Sequence, residues 1–253
     1  ILPRRPLDSP PTPSKPAPEM PSRAIPLEDF FRKPERALPR LSPAGTKLAY
    51  LAPWERRLNV FVRDLSSGVE RRVTHATERD IAGYVWANDE RLVYAQDKGG
   101  DENHRLYAVG HDGCTPLELT PFEGVKCDII DDLEEQPDRI LFQMNRRDPE
   151  VFDVWRLDVR TGGMDCVAEN PGNIQGWMTD HAGRVRLATT TDGVNTAILH
   201  RTTEADSWRT VATYSFKESA SPLFFTFDER ALYVSSNVGR DKAAIFEYDL
   251  EHG

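Results

Sequence analysis

Leu41-Ser42-Pro43-Ala44-Gly45-Thr46-Lys47-Leu48-Ala49-Tyr50 is a polar turn running into a short apolar triplet, and the figure returns down the chain. The triplets are Leu48-Ala49-Tyr50, Leu92-Val93-Tyr94, Ile140-Leu141-Phe142, Val185-Arg186-Leu187 and Leu232-Tyr233-Val234. They begin at positions 48, 92, 140, 185 and 232, a spacing of 44 to 48 residues. Turn formers precede each one: Ala87-Asn88-Asp89-Glu90, Gln136-Pro137-Asp138, Asp180-His181-Ala182-Gly183 and Asp228-Glu229-Arg230 repeat the role of Ser42–Gly45. Asn, Asp, Gly and Pro are what tight turns demand. A period of this size built from strand-like segments predicts a β-propeller, one four-stranded blade per repeat.

Working outward from the triplet, each unit follows one script. An innermost strand enters the turn, the triplet forms the second strand, and a charged loop leads to a third. The third strands read Val60-Phe61-Val62, Leu106-Tyr107-Ala108, Val154-Trp155-Arg156-Leu157, Ile198-Leu199-His200 and Ile245-Phe246-Glu247-Tyr248. Outer strands follow at Arg71–Thr74, Leu117–Thr120, Asp165–Ala168 and Trp208–Val211. The expected fold is all-β, about five blades with the fifth incomplete, because Glu251-His252-Gly253 stands where the turn into its outer strand is due. An open blade edge leaves backbone groups unpaired, so the expectation is a partial ring, truncated from a longer chain. The alternative, a five-bladed ring closed by the N-terminal segment, asks prolines to form a ladder strand, which they do poorly.

That segment, residues 1–23, is ILPRRPLDSPPTPSKPAPEMPSR, rich in Pro and Ser and without hydrophobic period, so it reads as a disordered tail. Residues 24–36 hold a short helix, Ile25-Pro26-Leu27-Glu28-Asp29-Phe30-Phe31-Arg32. Pro26 suits its first turn, Glu28 and Asp29 its positive end, and Pro34 its stop. Leu27, Phe30 and Phe31 give it an apolar side for docking. The propeller then occupies residues 37–253.

Composition narrows the function. The 253 residues carry a net charge of −9, which argues against a nucleic-acid partner. No apolar run approaches the roughly 18 residues a bilayer span needs, so no membrane partner is expected. Cys114, Cys127 and Cys166 show no CxxC pairing, and they read as buried or half-buried free thiols. The six histidines, at 75, 104, 111, 181, 200 and 252, lack metal-ligand spacing, and no cofactor is expected. Neither Gly-x-Ser-x-Gly nor a phosphate-cradling glycine loop occurs, so no catalytic residue is assigned within the chain. Trp86, Trp155, Trp177 and Trp208 fall on expected strands as packing between blades. The chain begins at Ile1 and shows no signal-peptide pattern, which suggests the cytoplasm, or the periplasm if a signal was removed.

The loops between second and third strands share one face of a propeller. Asp101 and Glu102, after Gly99-Gly100, could hold a cation such as a peptide amino terminus, or pair with Arg146 or Arg147 of the next blade. Arg240 and Asp241 occupy the same place in the fifth unit. Asp128, Asp131 and Asp132 on the third innermost strand form an acidic cluster, a cation site or a solvated turn.

The opening Ile25–Phe31 with Leu41–Tyr50 resembles that of the prolyl oligopeptidase family of serine peptidases, nearest its acylaminoacyl-peptidase and dipeptidyl-aminopeptidase-like branch. Gly99-Gly100-Asp101-Glu102-Asn103, Asn145-Arg146-Arg147-Asp148-Pro149 and Asn237-Val238-Gly239-Arg240-Asp241-Lys242 are similar to loops of that branch. The resemblance implies a propeller over a C-terminal α/β-hydrolase domain that carries a Ser-Asp-His triad. It implies that the propeller gates access for short peptides and helps hold their N-terminal end. The gating and substrate-anchoring roles carry over to Asp101, Glu102, Arg146, Arg147, Arg240 and Asp241. The chain alone is then expected to be inactive, its partners being the hydrolase domain of its parent chain and a peptide substrate. Two further readings are a stand-alone propeller that scaffolds protein or peptide partners, and a propeller hydrolase such as a glycosidase or lactonase.

Overall fold

The computed structural model describes residues 25–251. The expected tail at 1–23 lies outside the described residues. The chain divides into two units, residues 1–33 and 34–253. In the first, α1 (Leu27–Phe31) is shorter than expected and Pro26 is its N-cap rather than a first-turn residue. Asp29 is paired with Arg32 at 2.6 Å, and none of the helix residues is buried.

The second unit is a series of antiparallel sheets, each a simple meander. Blade 1 is β1 (Ala37–Leu41), β2 (Lys47–Trp54), β3 (Arg57–Asp64) and β4 (Glu70–Arg72). Blade 2 is β5 (Gly83–Asn88), β6 (Arg91–Gln96), β7 (Arg105–Gly110) and β8 (Leu117–Glu118). Blade 3 is β9 (Cys127–Asp131), β10 (Arg139–Asp148), β11 (Val151–Asp158) and β12 (Met164–Ala168). Blade 4 is β13 (Ile174–Thr179), β14 (Val185–Thr191), β15 (Thr196–His200) and β16 (Arg209–Tyr214). Blade 5 shows three strands among the described residues, β17 (Ala220–Phe225), β18 (Ala231–Ser236) and β19 (Ala244–Asp249). These are the blades of a propeller. Trp208 stands just before β16 rather than on a strand.

The core lies between blades, and this explains the apolar triplets. A middle strand is buried on both faces, so neighbouring residues serve different interfaces. Leu92 packs with Ala49, Leu51, Val60 and Trp86 between blades 1 and 2, while Val93 packs with Leu106, Phe142 and Met144 between blades 2 and 3. Ile140 and Phe142 join that second cluster, and Leu141 turns to Val154 and Val185 between blades 3 and 4. A fourth cluster, around Leu187, Ile198, Phe225, Leu232 and Val234, joins blades 4 and 5. Burying a side chain of this size is worth about 1.5–3 kcal/mol.

Polar stitches repeat with the same period at the first turn of each blade. The Ala44 N–H donates to Asp89 Oδ1 at 2.8 Å, Asn88 to Asp138 at 2.6 Å, Gln136 to the Ala182 carbonyl at 2.9 Å, and His181 Nε2 meets the Thr226 carbonyl at 3.2 Å. Tyr84 and Trp86 of β5 donate to the Leu38 and Arg40 carbonyls of β1, at 2.5 and 3.2 Å. The turn sequences thus set the chain's direction and also couple each blade to the next.

Candidate functional site

In a meander the second connection and the link to the next blade emerge at the end opposite the first turns. That end carries the charged loops, and buried carboxylates pin it. Asp97, at the start of the blade 2 loop, accepts on both carboxylate oxygens from Arg79 Nε, at 2.9 and 3.0 Å. The Arg79 guanidinium holds the Asp97 carboxyl below the usual carboxylate range, with help from the Glu102 N–H. Gly99, Gly100 and Glu102 all take positive φ, 65°, 86° and 59°, a path cheap only for the glycines. The Asp101 carboxylate folds back onto its own loop, accepting from the Asn103 and Lys98 N–H groups at 3.1 and 3.3 Å. Glu102 is exposed and accepts no hydrogen bond among the described residues.

The anticipated pairing of these acids with the blade 3 arginines does not form. Arg147 donates to both oxygens of Asp153, at 2.8 and 2.7 Å, and to the Asn170 carbonyl at 2.7 Å. Asp153 is 1% exposed and also accepts the Asn170 N–H at 2.8 Å. Burial alone would raise the Asp153 carboxyl, but Arg147 and that N–H outweigh it and hold the group low. Arg146 lies over the Phe122 ring, 4.0 Å from its centroid. Arg240 lies 5.9 Å from the Phe246 ring centroid, and Asp241 is exposed. The six candidates therefore stand as three adjacent pairs on three loops, with no hydrogen bond or ion pair between loops.

A cavity of about 430 Å³ lies along the inner strands of blades 2 and 3, lined by Gly83, Tyr84, Val85, His104, Cys127–Asp132 and, from blade 1, Arg40. The acidic cluster meets it without forming a cation site. Asp131 accepts from the Thr179 hydroxyl and from the Leu133 N–H at 2.8 Å. Asp132 faces Arg40 at 3.3 Å. Burial pushes the Asp132 carboxyl upward against the pull of Arg40. Among the described residues, no three His, Cys, Asp or Glu side chains stand where they could share a metal ion. The cysteines divide differently from expectation. Cys127 is buried, its thiol pushed up to about 11 by burial, while Cys114 and Cys166 are exposed.

Sequence reading missed Asp97, Asp153, Arg79 and Arg40. Asp153 left one legible signal: an acid directly before the strand segment Val154–Leu157, at a place where blades 1 and 2 carry Asn59 and Arg105, all three buried. Asn59 spends its amide on Thr74 and Ala76, and Arg105 pairs with Glu118 at 3.1 Å. Arg40 left none, because its partner lies 92 residues away.

Fold and site together define a β-propeller with a polar, loop-built end. The chain is 30% identical to dipeptidyl aminopeptidase BIII of Pseudoxanthomonas mexicana over 233 residues, 90% of the chain and 34% of that protein. It is 28% identical to dipeptidyl peptidase family member 6 of Caenorhabditis elegans over 81% of the chain and 30% of that protein. It thus spans about a third of the length of these relatives. A solved prolyl endopeptidase shares the fold with a TM-score of 0.65 at 13% identity, over 85% of this chain and 34% of that one. No family model matches. The similarity to two dipeptidyl peptidases, with the propeller shared with a prolyl endopeptidase, agrees with the resemblance to the prolyl oligopeptidase family read from the sequence.

Proposed function

We propose that this propeller gates and anchors substrate for a serine peptidase that cleaves short peptides, acylaminoacyl- or dipeptidyl-peptidase-like. The observation that carries the reading is the sequence kinship with a dipeptidyl aminopeptidase over 90% of the chain. Its partner is an α/β-hydrolase domain of the same parent protein, where the acyl transfer to serine takes place. The 253-residue chain itself hydrolyses nothing.

Within this reading the loop residues take different parts. Glu102, exposed and in none of the ion pairs among the described residues, offers its carboxylate to the ammonium of a peptide's amino terminus, with Asp101 beside it. Arg147 is a positioning residue, since its guanidinium is spent on Asp153 and Asn170. Arg146, Arg240 and Asp241 serve as outer contacts for peptide or for the partner domain.

The test uses the parent protein. Glu102→Gln should raise KM about tenfold for a peptide with a free amino terminus, the effect of losing one charge-assisted contact of about 1.5 kcal/mol. The same peptide blocked by acetylation should be unaffected. Equal effects on both peptides remove the anchoring role. Separately, a fluorophosphonate probe should label the parent protein and leave the 253-residue chain unlabelled. A labelled chain would overturn the assignment of catalysis to another domain.

A further inference from the structure

Lys47–Glu90, Arg156–Glu204 and Arg186–Glu229 each join neighbouring blades. Arg40–Asp132 is different: it runs from blade 1 to the end of β9 in blade 3, passing over blade 2. Its two side chains are 50% and 27% exposed and meet through one contact of 3.3 Å. Such a pair is worth about 0–1 kcal/mol, too little to hold blades that four apolar clusters already join. The Arg40 backbone is fixed independently, its carbonyl taking the Trp86 indole N–H at 3.2 Å. Only the side chain is free to swing. Both members of the pair line the inner-strand cavity of about 430 Å³, where the Asp128 and His104 side chains make no hydrogen bond among the described residues.

We propose that Arg40–Asp132 is a reversible bar across this cavity, and that an extended peptide enters only when the bar is open. The weakness of the pair is what suits it to the task. A stronger bond would seal the cavity, and none would leave it permanently open. The idea refines the gating role proposed above and names the contact that performs it.

Gly83 provides a reporter. It lines the cavity, and a Cβ built there meets nothing within 4 Å. In the full chain carrying C114S and C166S, Gly83→Cys is labelled with iodoacetamide and, separately, with a bulky polyethylene-glycol maleimide. Arg40→Ala and Asp132→Asn should each speed the bulky reagent about fivefold, the factor corresponding to about 1 kcal/mol, and leave iodoacetamide unchanged. The exchanged pair R40D/D132R should restore the slow rate. Raising the salt concentration with Arg40 and Asp132 intact should reproduce the acceleration, since exposed pairs are screened. Equal bulky-reagent rates in all these proteins, or an acceleration that the exchanged pair fails to reverse, would overturn the bar. No peptidase activity enters the measurement, so loss of this proposal leaves the peptidase reading standing, and the reverse also holds.

Discussion

His200 shows how a single residue can record its surroundings. It ends β15 with 4% exposure, and both ring nitrogens face guanidinium groups, Arg186 at 3.3 Å and Arg209 at 3.5 Å. A neutral imidazole can accept from one of them, whereas a proton on that nitrogen would meet a positive charge in a dry site. Burial first, then Arg186 and Arg209, bring its pKa down from 6.5 to about 4. The unfolded chain therefore takes up this proton before the folded one does. The contribution is whole above pH 6.5, declines as pH falls towards about 4, and is level below that. The loss amounts to about 3 kcal/mol. Urea unfolding followed from pH 7 to pH 4 should show it, and His200→Gln should flatten that part of the curve. An unchanged slope in the variant would place the acid sensitivity elsewhere. None of this is legible in the sequence, where His200 is an ordinary polar residue closing a strand and its two arginines lie 14 positions before it and 9 after.

At the scale of the element, the turn is where local chemistry and packing meet. Asp180-His181-Ala182-Gly183 reads as a turn from its residue types alone, and the structure agrees: the Gly183 N–H returns to the Asp180 carbonyl at 3.0 Å. Gly183 has φ 73°, which glycine adopts freely. Its second reason is tertiary. A Cβ there would stand 2.3 Å from Leu133 Cδ2, a buried side chain in the blade 3–4 core. Gly183→Ala meets strain and overpacking together, so it should cost about 2 kcal/mol, read as a lowered unfolding midpoint. Gly45 has a similar φ of 67° but open space around it. Gly45→Ala should therefore lose only the backbone part, about 1 kcal/mol. Equal costs at the two glycines would remove the packing argument. The strands themselves were legible because their apolar runs are continuous, as double-sided burial requires. The outer strands were placed less well: β8 holds two residues where four were expected, since a strand with one neighbour has little pattern to impose.

For the whole molecule, stability should follow position in the row of blades, because each blade shares its apolar core only with its neighbours. Blades 2 and 3 are covered on both faces. Blade 5 packs one face on blade 4, while Phe224 and Ile245 on its sheet are 54% and 67% exposed. Hydrogen exchange on the 253-residue chain should find the amides of β17–β19 opening about tenfold faster than those of β5–β7 and β9–β11. Uniform protection would show that the row unfolds as one cooperative body. The sequence by itself determined the architecture: a 45-residue period, apolar triplets and turn residues suffice, because every blade repeats the same local problem and solves it with the same residue types. It also pointed to the family through loops whose order survives in the chain. The tertiary structure alone decided which charges are spent and which are available. Arg147 and Arg79 are committed to buried aspartates, Glu102 is not, and Arg40 reaches over a blade to Asp132. A charged side chain's role depends on the partner that desolvation and distance bring to it, and those partners come from other loops and other blades.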